Sequence, residues 1–314
     1  GLSVLLCEQE DLASGTSSKS SKLIHGGLRY LEYREFRLVR EALKEREILL
    51  KKAPHLIKEL RFILPHEKHL RAKWMLRLGL LLYDHLASRK TIQGSKKVSL
   101  KRSVYGTALQ SRLKTGFIYS DCWVDDARLV VSNAIAAKQH GAEILTHTQC
   151  KKAVRENGRW TINLTDQHGS PQMIHARALV NAAGPWVSEV IHDVLAEKSR
   201  YQAKLVKGSH IVVPKLYQGS HAYILQNNDN RIVFAIPYQD NLTMIGTTDE
   251  AFSSDPHKAS ITAEETAYLC EVIDDYFNKK IHPNDVVWSF SGVRPLHDEG
   301  SENLSALSRD YALE

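Results

Sequence analysis

The densest group of side chains able to contact a ligand lies between Ser14 and Gly27. This stretch reads SGTSSKSSKLIHGG and contains five serines, one threonine, two lysines and a histidine. Consecutive small hydroxyl residues expose backbone N–H groups and add hydroxyl donors, a combination suited to a pyrophosphate. The pair Gly26-Gly27 lets the backbone pass close to a flat ring or a phosphate. The run therefore predicts a ligand-binding loop, with a mobile surface loop as the alternative.

Two strand ends could serve the same ligand. Glu8 follows the apolar run 2–7, and an acidic residue at the end of a strand in a dinucleotide-binding unit can bind a ribose hydroxyl. The apolar run "ALVN" predicts a strand that ends in the small residues Ala182, Ala183 and Gly184, which let a nucleotide approach a sheet. A surface charge and a plain strand–helix turn are the respective alternatives.

Cationic groups lie at further strand ends. The segment KGSHIVV places His210 at the mouth of a predicted strand, and SGVRPL places Arg294 where a strand becomes a loop, with Pro295 fixing the turn. A fork-shaped guanidinium binds phosphate or carboxylate well. Arg29 and Arg309 are further candidates, although any one of these side chains taken alone could be structural.

A mixed α/β chain must position these groups. The apolar periodicity predicts helices over 35–52, 71–88, 125–139 and 262–278. Strands are predicted on either side of Asn157-Gly158 and His168-Gly169, and throughout 205–250. We expect a parallel-sheet part that comes first and returns around 120–190, followed by an antiparallel part over about 203–300.

The positive charge is concentrated in one segment. Residues 66–115 contain twelve Lys or Arg against two acidic residues, in a chain of net charge +6. This could be a solvated face or a surface for anionic lipid head groups; nucleic acid is disfavoured because no binding module is recognisable there. The apolar cluster 74–86 is shorter than the ~20 residues that a bilayer span needs.

The four cysteines are scattered, with no CxxC pair and no histidine at zinc spacing. They are typical of reduced thiols in a cytosolic protein, and no metal site is predicted.

Several long motifs together resemble a known family. In order, TSSKSSKLIHGGLRYLE, YSDCWVDDARLV, LVNAAGPWV, KGSHIVVP, IGTTD, SGVRPL and SRDYALE resemble the FAD-dependent glycerol-3-phosphate dehydrogenases, respiratory enzymes that pass electrons to quinone. The resemblance runs from Gly1 to Glu314. It implies the fold of the glycine/D-amino-acid oxidase superfamily: a Rossmann-like FAD-binding domain joined to an antiparallel-sheet α+β substrate domain.

The resemblance also implies roles for individual residues. His210 is the expected base for the C2 hydroxyl and Arg294 the second expected catalytic residue, with an arginine that stabilises the alkoxide as the competing assignment. The expected substrate-binding residues are Arg29, Tyr30, Arg294 and Arg309. The expected FAD contacts are Glu8, Thr16, Ser17, Ser18, Ser21, Lys22, Leu23, His25, Gly26, Gly27, Ala182, Ala183 and Gly184.

The implied reaction oxidises sn-glycerol 3-phosphate to dihydroxyacetone phosphate. Membrane quinone and an anionic membrane surface are the implied partners, at the inner face of the cytoplasmic membrane, with a homodimer left open and no nucleic acid. Two alternatives remain: a related flavoenzyme for a 2-hydroxy acid or an amine, and a non-catalytic basic binding module.

The implied division of the chain is discontinuous. Residues 1–65 and 116–202 would form the FAD-binding domain, 66–115 a basic, partly helical, membrane-facing insertion, and 203–300 the substrate domain, with 301–314 returning towards FAD.

Two departures from the family pattern concern the chain ends. The amino-terminal GxGxxG unit and the carboxyl-terminal segment with its Gly-Gly-Lys motif are absent. The chain also starts without methionine in a core-like apolar run. We expect a fragment of a longer enzyme that by itself binds FAD poorly and has little or no activity.

Overall fold

The computed structural model describes residues 1–67, 72–199, 203–227, 229 and 231–297. The helices are α1 (Phe36–Lys52), α2 (Lys73–His85), α3 (Asp126–Gln139), α4 (Val187–Glu189) and α5 (Ala263–Tyr276). The strands are β1 (Leu5–Cys7), β2 (Leu23–Ile24), β3 (Ile57–His66), β4 (Lys96–Ser99), β5 (Thr115–Val124), β6 (Glu143–Leu145), β7 (Thr148–Glu156), β8 (Arg159–Asp166), β9 (Pro171–Ala176), β10 (Ala203–Pro214), β11 (Ala222–Gln226), β12 (Ile232–Tyr238), β13 (Leu242–Gly246), β14 (Glu250–Ala251) and β15 (Trp288–His297).

One large sheet organises the described part of the chain. Its ten strands there follow the order β14-β10-β13-β12-β11-β3-β5-β2, with β15 on the other side of β10 and β4 on β5. The ladders are antiparallel except where β11 runs parallel to β3. The mixed α/β architecture expected from the sequence is confirmed, but the expected parallel-sheet part around 120–190 is limited among the described strands to the ladder between β1 and β6.

Alternation along the strands gives the large sheet two packed faces. Buried apolar side chains such as Ile63, Ile118 and Ile211 face α5. Their neighbours in sequence, such as Phe62 and Val212, face α1 and α2 instead. Both faces are covered by helices, so the strands read as nearly continuous apolar runs rather than as strict alternation.

Two smaller sheets lie outside the large one. Strands β1 and β6 pair in parallel, and β7, β8 and β9 form an antiparallel sheet. Asn157 and Gly158 join β7 to β8 with φ values of 51° and 77°. Both residues are left-handed, as a two-residue hairpin of this kind requires, so the predicted turn is confirmed.

The long predicted helices form where the sequence indicates. Asp125 caps α3 by accepting a hydrogen bond from the Arg128 amide at 3.2 Å, and Gly141 follows the helix with φ of 92°. The α5 helix starts with a reciprocal capping box in which Thr262 and Glu265 each bond the other's amide.

The predicted strand at 178–183 is wrong. This segment forms no ladder with any described strand. The Val180 side chain is 86% exposed, and the Asn181 side chain holds the segment by bonding the Val187 carbonyl at 2.9 Å and the Ala183 amide at 3.2 Å. An apolar run forms a strand only where another strand offers backbone hydrogen-bond partners, and no described strand offers them to this segment.

The predicted end of a strand at Arg294 is also wrong. Strand β15 continues through Arg294 and Pro295, which pair with Val206 and Leu205 of β10. Because β15 pairs with β10 alone among the described strands, it is an edge strand, and an edge strand tolerates the missing N–H of a proline.

The large sheet crosses the division of the chain expected from the sequence. Strands β3 and β5, expected in the FAD-binding domain, lie in the same sheet as β10 to β13. Leu100, Leu109 and Leu113 of the expected insertion are buried in the core that faces α5. The domain boundaries stay a prediction, and residues 301–314 lie outside the described part of the chain. Within the described ranges, no helix combines the length and apolar character needed to cross a bilayer.

Replacing Thr262 by Ala should lower the free energy of unfolding by about 1 kcal/mol, because the first turn of α5 loses its cap. Chemical denaturation measures this change. The matched control is Thr266→Ala, which removes a hydroxyl that bonds the Thr262 carbonyl within the same helix and should change stability by less than about 0.5 kcal/mol. Equal losses in the two variants would contradict the capping role.

Candidate active site

The loop predicted to bind a ligand lies across strand β15. The Thr16 hydroxyl donates to the Val293 carbonyl at 2.6 Å. A Cβ atom added to Gly292 would lie 3.0 Å from the Lys19 Cβ and 3.1 Å from the Lys19 carbonyl oxygen. Glycine at this position therefore lets the loop backbone approach the strand.

The same loop is fixed on its other side by the start of α3. The Lys22 ammonium donates to Asp126 at 2.8 Å and to the Ser18 carbonyl at 3.1 Å. The Ser20 hydroxyl donates to the second oxygen of Asp126 at 2.7 Å. The Lys22 charge is thus neutralised within the protein, and its expected contact with the cofactor stays a prediction.

The loop meets the sheet at His210. The Ser21 Oγ lies 2.8 Å from the His210 Nε2, and the imidazole stacks on Phe290 with ring centroids 4.7 Å apart. His210 is only 3% exposed, and its Nδ1 has no hydrogen-bond partner in the described residues. A Cβ at Gly246 would lie 2.2 Å from the ring, so the neighbouring strand must carry glycine there.

The environment of His210 keeps its ring neutral. Burial, with smaller contributions from the positive charges of Arg294 and Lys22, lowers the pKa of His210 to about 3. This pKa lies below the ordinary range of an imidazole because desolvation disfavours the charged form. A neutral ring can still accept a proton.

Arg294 lies on the same side of the sheet as His210. Its guanidinium forms an ion pair with Asp249 of the motif IGTTD and lowers the pKa of His210. The ion pair orients the guanidinium.

Arg29, in a short helical turn over Leu28–Tyr33, forms no hydrogen bond or ion pair with the described residues. Tyr30 follows it and packs on the core that faces α1 and α2.

Gly26 and Gly27 are required by close packing inside the protein. A Cβ at Gly26 would lie 2.4 Å from the Leu43 Cδ2 of α1. Gly27 has φ of 70°, and a Cβ there would lie 2.3 Å from the Tyr30 ring. His25, just before them, is exposed, and Leu23 pairs with Trp123 in the ladder between β2 and β5.

The turn at 182–184 reaches the start of the loop through Trp186. A Cβ at Gly15 would lie 3.5 Å from the Trp186 ring, and this ring packs on His257 with centroids 4.4 Å apart. His257 in turn lies 3.8 Å from the Glu10 carboxylate. Contacts therefore run from Glu10 through His257 and Trp186 to the loop at Gly15. The Glu8 carboxylate does not take part in these contacts and accepts a hydrogen bond from the Glu10 amide at 3.0 Å.

A buried polar network lies behind His210, on the opposite side of β10. Glu265 accepts hydrogen bonds from the Ser209 hydroxyl at 2.9 Å and the Thr248 hydroxyl at 2.7 Å. It also pairs with the Lys207 ammonium at 2.8 Å. Sequence reasoning missed Glu265, although its place three residues after Thr262 is that of a capping box.

A second group missed from the sequence is Asp121 with its partners. Asp121 is buried in β5 and pairs with Arg46 of α1 at 2.5 Å. The Tyr83 hydroxyl of α2 donates to it at 2.7 Å. A charged residue within the apolar strand sequence FIYSDCWV was the available signal, since buried charges need partners.

The structure thus brings Ser21, His210 and the loop together, with Arg294 on the same face of the sheet. Arg309 lies outside the described residues, and its role stays a prediction, as do the roles of the other expected contacts.

Three comparisons relate the chain to known proteins. Residues 1–308 match the family described as FAD dependent oxidoreductase. A glycerol-3-phosphate dehydrogenase of Pseudomonas aeruginosa is 58% identical over 313 residues, which span 100% of this chain and 60% of that protein. A D-erythritol 1-phosphate dehydrogenase of Brucella abortus is 51% identical over 315 residues, which span 100% of this chain and 63% of that protein.

A solved structure is also similar. The glycerol-3-phosphate dehydrogenase from Bacillus halodurans, complexed with FAD, superposes with a TM-score of 0.75 and 28% identity, covering 96% of this chain and 53% of that chain. These matches confirm the resemblance stated from the sequence motifs. The chain spans about 60% of the length of the two curated relatives.

Replacing His210 by Gln should weaken the pH dependence of stability. The folded-state pKa of about 3 lies below the ordinary value of 6.5, so between these values the unfolded chain binds one more proton and stability is lost as the pH falls. In the wild type, this group should make the free energy of unfolding fall by about 1.4 kcal/mol for each pH unit between these values, and the variant should lack this contribution. Denaturation between pH 4 and 6 measures it, with His192→Gln, an exposed histidine, as the control. An unchanged slope in the His210 variant would show that this ring is not buried in its neutral form.

Proposed function

The chain belongs to the FAD dependent oxidoreductase family, and we propose that the protein uses FAD to oxidise sn-glycerol 3-phosphate to dihydroxyacetone phosphate, passing the electrons to quinone. The observation that carries this proposal is the 58% identity, over the whole chain, to the glycerol-3-phosphate dehydrogenase of Pseudomonas aeruginosa. Because the chain spans 60% of that relative, the reaction is proposed for the full-length protein.

The described residues fit an FAD group at the loop over 14–27. The Ser17 and Ser18 hydroxyls form no hydrogen bond with another described residue, so they remain available to a pyrophosphate. The buried Nδ1 of His210 also lacks a partner there, and a buried polar atom of this kind needs one. When bound, FAD would supply the hydride acceptor, while the protein supplies binding and orientation.

The substrate phosphate is assigned to arginines. The Arg29 guanidinium forms no ion pair with the described residues, and Arg294 is held in one orientation by Asp249. A guanidinium fixed in this way can bind a phosphate through its remaining N–H groups. Holding the phosphate would place the C2 hydroxyl in a single orientation, which is a positioning effect.

His210 is proposed to take the proton of the C2 hydroxyl. Its Nε2 faces the loop, where it lies 2.8 Å from the Ser21 Oγ, and burial keeps the ring in the neutral form, the form that can accept a proton. The competing assignment gives the main role to Arg294, which would stabilise the alkoxide.

A second polyol phosphate is a specific alternative substrate. The D-erythritol 1-phosphate dehydrogenase of Brucella abortus is 51% identical over the whole chain. Both substrates would present a phosphate to the same arginines and a secondary hydroxyl to His210. The length of the polyol therefore separates the two functions, and the phosphate does not.

Helix α2 is the proposed membrane-facing surface. Trp74 is 68% exposed, and Leu78, Leu81 and Leu82 are also exposed on the same side of the helix. Exposed apolar residues at this spacing, within a strongly basic segment, suit an anionic lipid interface. Docking there would bring the protein to membrane quinone at the inner face of the cytoplasmic membrane; a homodimer stays a prediction.

Replacing Arg294 by Ala should raise KM for glycerol 3-phosphate at least tenfold, because a charge-assisted hydrogen bond contributes about 1.5–3 kcal/mol. Steady-state dye reduction by the full-length, FAD-loaded protein measures it, with unphosphorylated glycerol as the comparison substrate. Arg112→Ala, which removes an exposed arginine paired with Asp275, is the matched control. If the variant keeps its preference for the phosphorylated substrate, the phosphate assignment is wrong.

Replacing Trp74 and Leu78 together by Glu should weaken binding to vesicles that contain anionic phospholipid by at least tenfold, because two apolar anchors are lost and negative charge is added. Co-sedimentation with vesicles measures binding. Met173→Glu changes an exposed apolar residue on β9 and is the control. Equal vesicle binding by the double variant and the control would argue against α2 as the docking surface.

A further inference from the structure

A buried polar chain joins helix α2 to the loop of the candidate active site. The Gly26 amide donates to the Tyr83 hydroxyl at 2.8 Å, and this hydroxyl donates to the Asp121 carboxylate at 2.7 Å. The carboxylate is balanced by the Arg46 guanidinium at 2.5 Å. The chain thus links strand β5 and helices α1 and α2 to a single backbone N–H of the loop.

The direction of these hydrogen bonds is fixed by chemistry. Burial, together with the nearby Asp121 carboxylate, raises the pKa of Tyr83 well above its ordinary value, so the hydroxyl keeps its proton. The Asp121 carboxylate is paired with the Arg46 guanidinium and therefore only accepts, and the Gly26 amide only donates. Tyr83 therefore accepts from the loop amide while it donates to Asp121, and so connects the carboxylate to the loop. The Gly26 amide also makes a longer hydrogen bond to the Asp121 carboxylate at 3.4 Å, and this longer bond would remain without the Tyr83 hydroxyl.

Packing alone does not explain these residues. A buried ion pair can often be replaced by apolar side chains at little cost in stability. Apolar side chains in place of Tyr83 and Asp121 would leave the Gly26 amide without a close acceptor. The space around Gly26 is also too crowded for another side chain to supply one. A Cβ on Gly26 would already lie 2.4 Å from Leu43 and 2.7 Å from the Tyr83 oxygen. The loop backbone is thus pressed between α1 and α2, and its one inward N–H requires an acceptor.

We propose that Tyr83, oriented by Asp121 and Arg46, is a positioning residue for the FAD-binding loop, which it holds through the Gly26 amide. This inference rests on the proposed function because it assumes that the loop lines the flavin. The immediate consequence concerns two points of the loop, Gly26 near its end and Ser21 in its middle. Gly26 is fixed by Tyr83, and Ser21 meets His210, so a loop released at Gly26 would shift the groups that face the cofactor and the substrate.

The test compares Tyr83→Phe with Tyr119→Phe in the full-length, FAD-loaded protein. Both rings are buried and pack against each other edge to face, with centroids 6.0 Å apart. Both substitutions remove one hydroxyl, and only that of Tyr83 bonds the loop. Hydrogen–deuterium exchange of the peptide that contains Gly26 and the equilibrium release of FAD are the readouts.

We expect Tyr83→Phe to speed exchange at Gly26 about tenfold and to weaken FAD binding three- to tenfold, the range that a single hydrogen bond contributes. Tyr119→Phe should leave both quantities within twofold of the wild type. Equal behaviour of the two variants would overturn the proposal. If the wild-type protein holds FAD and the two variants differ as expected in exchange and FAD release, but the wild type oxidises no polyol phosphate, the proposed function fails while the role of Tyr83 stands.

Discussion

The candidate site depends on the hydrogen bonds and the ion pair formed by the buried carboxylate of Glu265. This carboxylate receives hydrogen bonds from Ser209 of β10, from Thr248 and from the amide of Thr262, and it pairs with Lys207. Removing one partner of such a buried pair costs about 3–5 kcal/mol, because the other charge is left without compensation. One carboxylate therefore locks strand β10 to the start of α5 and to the segment after β13.

Because side chains alternate between the two faces of β10, the buried network on one face determines which residues lie on the face of the candidate site. Lys207 and Ser209 point towards α5, so His210, between them and Val212 in sequence, must point to the other face. Arg294 shares this face because it pairs with Val206 of β10 across the ladder with β15. The polar loop then crosses the same face and meets His210 at Ser21. The position of the imidazole thus follows from a polar network that never touches the loop.

The sequence predicted the local features well because they depend on neighbours within a few residues. The Asn157-Gly158 hairpin, the cap at Asp125 and the helix over α1 are of this kind. The strand at 178–183 and the turn at Pro295 failed because pairing depends on partners distant in sequence. The buried roles of Asp121 and Glu265 were missed for the same reason: their partners come from separate elements, and no local spacing reveals them.

The lowered pKa of His210 also bears on how the proposed substrate would act. Burial is its main cause, and the positive charges of Arg294 and Lys22 add to it. Both cations are paired with carboxylates, Lys22 with Asp126 and Arg294 with Asp249. A phosphate bound at Arg294 would offset the larger of the two cationic contributions, so the pKa of the imidazole would rise, while burial would still hold it below its ordinary value. In this arrangement the substrate anion itself would strengthen the base that acts on it, so the arginine and the histidine would form one coupled unit.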